Sequence, residues 1–204
     1  MTPIKFVHLP RTGGSSLTTY LKSVGYKKEF STDWKDITQS VEEFNSQDEK
    51  ARYSYDLIYG HGSQWLNSSP DMLRVTILRH PIEVVWSLFN YMTEKKEFTE
   101  SFDKFLEKDW NVVSRLGSVT QILEIFHLIG FRTHINVFAR QLQKTAGLPN
   151  ELLPRLNRAS YEPPTQEQAV SIANAIQPDL ETYKELLALL LDQKLGEPKW
   201  QLSA

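Results

Sequence analysis

Along the first eighty positions, apolar residues fall into short clusters separated by polar stretches. Ile4, Phe6 and Val7 form a run that stops at Pro10, predicting a short buried strand over residues 5–8. Leu17, Tyr20, Leu21 and Val24 then recur at helical spacing. From Tyr26 to about Ser54 the chain is polar and charged, with a weak helix around Val41 and Phe44. "DLIYG", ending at Gly60, predicts a second strand, and "LRVTIL", running into Arg79, a third. Pro81 opens a helix carrying Val85, Trp86, Phe89 and Met92 on its apolar stripe.

The second half reads as helical. Phe102, Phe105 and Leu106 mark one helix, "TQILEIFHLI" a second, and "THINVFARQLQKTAG" a third that Gly147 stops. Thr165 and Gln168 have the spacing of a capping box ahead of Val170, Ala173 and Ile176. Pro178 breaks that run, and Tyr183, Leu187, Leu190 and Leu191 carry a last helix to Gly196. "LPRLNRASYEPP" reads as a loop. With no repeat, low-complexity tract or linker, residues 1–204 read as a single domain. Strand–helix alternation followed by helices predicts an α/β fold with a short parallel sheet and a mainly helical C-terminal half.

Composition narrows the function classes. The 23 basic and 25 acidic residues nearly cancel, so nothing marks a general polyanion binder, and no nucleic-acid partner is expected. Any affinity for phosphate or sulfate must be local. With no cysteine in the chain, disulfides, iron–sulfur clusters and thiol catalysis are excluded. No apolar stretch approaches the ~20 residues that span a bilayer, and with no basic and long apolar pattern ahead of the first strand no secretory leader is expected. These features lead us to expect a soluble, cytoplasmic protein without a membrane partner.

The chemistry concentrates at strand ends, where such sheets bind ligands. In "HLPRTGGSSL", Gly13 and Gly14 let backbone N–H groups approach an anion, and the following helix adds its positive end. Arg11 supplies a permanent charge; Thr12, Ser15 and Ser16 supply hydroxyls. The plain alternative is a tight strand–helix turn with no ligand. The loop is not the ATP or GTP form, because its glycines are adjacent and no Gly-Lys pair follows. Arg79 stands where a magnesium-organising acid would end the third strand, so an anion bound directly, without a metal, is expected. Beyond Arg79, Ser87 lies on a polar helix stripe with Glu83, Asn90 and Glu94. Arginine and serine so placed can grip one phosphate from two sides; otherwise they are an ion-pair partner and an exposed serine.

Together these segments resemble the PAPS-dependent sulfotransferases, which move a sulfuryl group from 3′-phosphoadenosine 5′-phosphosulfate to an acceptor hydroxyl. "FVHLPRTGGSSL" is similar to that family's 5′-phosphosulfate loop, and "TILRHPIEVVWSLFNY" to its 3′-phosphate segment. The carbohydrate branch, such as the uronyl 2-O-sulfotransferases, is the most similar. The resemblance implies a P-loop-type three-layer fold and cofactor binding by Arg11, Thr12, Gly13, Gly14, Ser15, Ser16, Arg79 and Ser87. It extends more weakly through "NVFARQL" and "LNRASYEPPT", where a closing loop would bring in Arg158 and Ser160. PAPS is then the donor and adenosine 3′,5′-bisphosphate (PAP) the product. Departures are Arg11 for the usual lysine, His80 for an aspartate and Val84 for an arginine. A later strand, which the family has between the "RQL" helix and the closing loop, is not evident either.

A transferase of this kind needs a base for its acceptor. "YGHGSQWL" puts His61 at a strand end between two glycines, and free histidine titrates near neutrality. His61 is therefore the expected general base and Arg11 its catalytic counterpart at the leaving oxygen; the alternative is a structural histidine. His8 and His80 read as structural, and His127 and His134 lack partners at metal-ligand spacing. Trp65, just beyond His61, either lines the acceptor cleft or is simply exposed. The expected acceptor is a carbohydrate or small alcohol. Two other readings remain open: a non-catalytic PAPS- or PAP-binding module, and a P-loop nucleotide kinase.

Overall fold

A computed structural model describes residues 1–32, 35–154, 156 and 161–192, which divide into two compact units. The first comprises Met1–Arg79 and Leu128–Ala159, the second His80–His127 and Ser160–Ala204.

The first unit holds five strands: β1 (Ile4–Val7), β2 (Glu29–Thr32), β3 (Leu57–Gly60), β4 (Leu73–Leu78) and β5 (Leu128–Phe131). They form one all-parallel sheet in the order β2-β3-β1-β4-β5. Helices cover both faces. On one, Leu17, Tyr20 and Leu21 of α1 (Gly14–Ser23) and Phe138, Ala139 and Leu142 of α7 (Ile135–Ala146) pack against Ile4, Phe6, Leu57, Val75 and Ile77. On the other, Phe44 and Val41 of α2 (Ile37–Ser46) meet Ile58 and Phe30. The three-layer α/β arrangement is thus the one expected. Parallel strands buried on both faces must be apolar throughout, which is why β1, β3 and β4 stand out in the sequence. Lys5 is the exception in β1: its buried ammonium donates to the Leu66 carbonyl at 2.7 Å, and burial, then Arg74, lower its pKa to about 8.

Two strands were not expected. β2 is an edge strand of four residues with only Thr32 buried, so it lacks an apolar run. β5 lies inside the stretch that reads as one long helix. A capping box of Ser118 and Gln121 starts α6 (Val119–Ile125), which ends at Phe126; the chain then extends through Leu128–Phe131. A short buried parallel strand and the end of a helix look alike in periodicity, and here the strand won. Among the described residues no strand lies between α7 and Tyr161.

The second unit is helical: α4 (Pro81–Glu94), α5 (Phe102–Leu106), α6, α8 (Gln166–Ala175) and α9 (Gln177–Asp192). Its core joins Val85, Leu88, Phe98 and Phe105 to Ile172 and Ile176. Thr165 and Gln168 cap α8 reciprocally, as their spacing predicts. Val84, where the resemblance has an arginine, is a buried residue of α4. None of the described helices is long and apolar enough to cross a membrane. In the first unit, α3 (Glu49–Tyr53) is a short helix capped by Asp48, with no buried residue.

Candidate functional site

β1 is the middle strand. The connection leaving it runs to the β2 side and the one leaving β3 crosses to β4, which is where a doubly wound sheet binds ligands. The loop from β1 to α1 is built there. Arg11 has φ 59° and Gly13 φ 92°, so two left-handed residues flank Thr12. Left-handed residues in such a turn are the kind of backbone that can gather successive N–H groups into an anion nest, here ahead of the positive end of α1. A non-glycine residue held at positive φ is strained, a cost that sites built for a ligand commonly carry. Arg79, at the end of β4, donates from Nη1 to the Arg11 carbonyl at 3.1 Å, tying the two cationic residues together.

The hydroxyls divide their tasks. Thr12, only 1% exposed, donates to the Leu9 carbonyl at 2.9 Å. Its hydroxyl hydrogen therefore holds the turn, and what Thr12 offers an anion is its backbone N–H. Ser15 and Ser16 are partly exposed, and Ser16 Oγ accepts from the Leu156 amide at 3.4 Å. Ser87 is in the second unit and buried, not on an exposed stripe. Arg158 and Ser160 lie outside the described residues.

The register of the sheet brings the two strand-end histidines together. Val7 pairs with Gly60, so His8 and His61 leave adjacent strands side by side, their rings stacked with centroids 4.5 Å apart and planes at 27°. Thr32, at the end of β2, donates its hydroxyl to the His61 carbonyl, and Ser63 donates to the Phe6 carbonyl at 3.1 Å, fixing the turn that carries His61. His8 also reaches the anion loop: a Cβ on Gly14 would fall 2.1 Å from its Cδ2. Glycine is required at 14 because the imidazole occupies that space. Sequence reading placed His8 inside a strand and missed this contact with both the loop and His61.

Burial, and then the neighbouring His61, lower the His8 pKa to about 3, so this ring stays neutral. The depressed value has a stability consequence. Between pH 6.5 and about 3 the unfolded chain binds a proton at His8 that the folded chain refuses, so this contribution is lost as pH falls through that window. His8→Gln should flatten the dependence of unfolding free energy on pH there, by up to about 1.4 kcal/mol per pH unit. Urea titrations at several pH values measure the slope; equal slopes for both proteins would refute the assignment.

Two further neighbours complete the surroundings. Trp65 is 53% exposed and its ring lies beside Gly62, next to His61. Arg132, just beyond β5, lies over the loop: a Cβ on Gly13 would fall 2.7 Å from its Cδ and 2.8 Å from its Nε. Sequence reading missed it because β5 itself was not recognised. Elsewhere, His80 packs edge-on against Tyr183, and burial lowers its pKa. Among the described residues, no three histidines or carboxylates come together as metal ligands.

Among known proteins, no family model and no curated sequence matches the chain. A solved structure does. The sulfotransferase from Alicyclobacillus acidocaldarius superposes with a TM-score of 0.60 at 15% sequence identity, covering 94% of this chain and 96% of that one. The two chains share a fold. At this identity the likeness extends to architecture, and the chemistry has to be argued from the strand-end residues themselves.

Proposed function

We propose that the chain is a PAPS-dependent sulfotransferase acting on the hydroxyl of a carbohydrate or small alcohol. The observation that carries this reading is the strand-end cluster itself. The loop has a turn of the anion-nest kind without the Walker lysine, bonded to a second arginine where a metal-organising acid would stand, with a histidine one strand away. The shared fold and the two motifs of the sequence support it.

The residues present fit the donor. The N–H groups of residues 12–14, the Ser15 and Ser16 hydroxyls and the Arg11 guanidinium would hold the 5′-phosphosulfate, and Arg79 the 3′-phosphate. Ser87, Arg158 and Ser160 enter through the resemblance alone. When bound, PAPS supplies an activated sulfuryl group whose S–O bond to the 5′-phosphate breaks as a new S–O bond forms to the acceptor. His61 takes the acceptor proton, held in place by the Thr32 bond and the stack on His8. Arg11 and the nest meet the charge that grows on the departing phosphate oxygen.

Ligand choice tests the reading. Adenosine 3′,5′-bisphosphate should raise the melting temperature more than ADP or AMP at equal concentration, because binding to the native state alone stabilises it by mass action. EDTA should leave the shift unchanged. Equal shifts with ADP, or a magnesium requirement, would instead favour a nucleotide kinase. Binding of the bisphosphate without transfer to any of a panel of sugars and alcohols would favour a binding module.

A further inference from the structure

Gly14 is glycine for a reason that its backbone does not supply. It is the first residue of α1 and, unlike Gly13, has no positive φ. Alanine would be the better helix former there. What an added Cβ would meet is the His8 ring, 2.1 Å away at Cδ2 and 2.3 Å at Nε2. The space belongs to the imidazole. Other contacts hold the same ring: it stacks on Phe6, a core residue, with centroids 5.4 Å apart and planes at 16°, and on His61 at 4.5 Å. The strand end beneath it is pinned from both neighbouring strands. The His8 N–H donates to the Gly60 carbonyl at 3.3 Å, and the buried Thr76 hydroxyl donates to the Val7 carbonyl at 2.9 Å. Groups packed this closely yield little and pass a displacement on to their neighbours. One ring thus joins the end of the anion loop to the histidine one strand away.

We infer that His8 is a positioning residue: wedged between Gly14 and His61, it sets the His61 imidazole against the loop of residues 11–14, so that an anion ordering the loop also orders the base. This rests on the proposed sulfotransferase reading for the role of His61, but not for the link between loop and ring. His8 itself touches neither donor nor acceptor and moves no proton. Its worth lies in alignment, since a misplacement of about 1 Å between reacting groups can cost about a hundredfold in rate.

The experiment uses the full chain and two readouts. In transfer assays, His8→Ala should lower kcat roughly tenfold to a hundredfold, with donor KM and affinity for adenosine 3′,5′-bisphosphate nearly unchanged. His8→Phe, which returns a flat ring to the gap, should recover part of the loss. On a His61→Ala background, His8→Ala should cost nothing further, because residues that act as a unit are not additive. Equal costs on both backgrounds overturn the inference and make His8 structural. The second readout needs no acceptor. In histidine-labelled protein, adenosine 3′,5′-bisphosphate or inorganic pyrophosphate should move the His61 ring resonances of wild type and leave those of His8→Ala in place. Gly14→Ala, whose methyl pushes on the ring, should move them without ligand, and His8→Ala should relieve that change. If His8→Ala does not fold, His8→Gln carries the same tests, because it fills the volume without a ring to stack. Shifts of His61 that depend on His8, without transfer to any acceptor, would leave the positioning role standing and remove the sulfotransferase reading. His61 resonances that ignore both probes in wild type, or respond equally in the His8 variants, overturn the inference.

Discussion

His61→Ala is expected to lower sulfuryl transfer by roughly 10²–10⁴ while leaving affinity for adenosine 3′,5′-bisphosphate nearly unchanged. The separation follows from where the ring sits. His61 leaves β3 and touches His8 and the turn from Thr32, whereas the nest lies on the β1 connection. A base on the acceptor side acts on the acceptor oxygen and not on the donor's phosphates. Arg11→Ala is the control: it should weaken bisphosphate binding and turnover together, because Arg11 meets the ligand in both ground and transition states. Calorimetry and initial rates on an acceptor identified from the panel measure both effects. An unfolded His61→Ala would make the ring structural; normal turnover would move the base elsewhere; identical profiles for the two mutants would remove the division of roles.

What could be read from the chain depended on whether the signal was local. The central strands β1, β3 and β4 are short apolar runs bounded by turn residues, and the loop after β1 concentrates glycine, arginine and hydroxyls within six positions. Both were legible for that reason. The register of the sheet is not local. Nothing near His8 in sequence says that it stacks on a ring more than fifty positions away, and nothing near Gly14 says that this ring fills the space of its missing side chain. Arg132 was hidden one step earlier. Had "HLIGF" been separated from the helix before it, the arginine would have stood at a strand end as Arg79 does.

Burial was the other missing quantity. Thr12 sits in a polar loop and Ser87 at a polar helical spacing, yet both are buried, and the Thr12 hydroxyl turns inward to its own loop. A hydroxyl's presence can be read from sequence, but not the carbonyl it satisfies. Asp179 makes the same point more forcefully, since at the sequence level it is one acid in the first turn of a helix that begins around Pro178.

In the structure Asp179 is only 2% exposed and organises the segment that precedes α6. One carboxylate oxygen accepts the N–H groups of Val112 at 2.7 Å and Val113 at 2.9 Å; the other accepts the N–H and the hydroxyl of Ser114, each at 2.8 Å. The carboxylate lies in the first turn of α9, whose helix end adds a favourable field for an anion. Removing the acceptor leaves three backbone donors facing a site that water reaches poorly, each costing about 1–3 kcal/mol if unsatisfied. Asp179→Ala should therefore destabilise the protein by about 3–5 kcal/mol, the sum being reduced by whatever water enters the vacated volume. Asp179→Asn should recover little. Its single oxygen can serve one side of the arrangement, while its amide hydrogens confront donors on the other. Urea unfolding of the two variants measures both losses. A cost below about 1 kcal/mol for alanine, or an asparagine variant as stable as wild type, would mean that the three N–H groups find partners elsewhere and that Asp179 does not hold this segment.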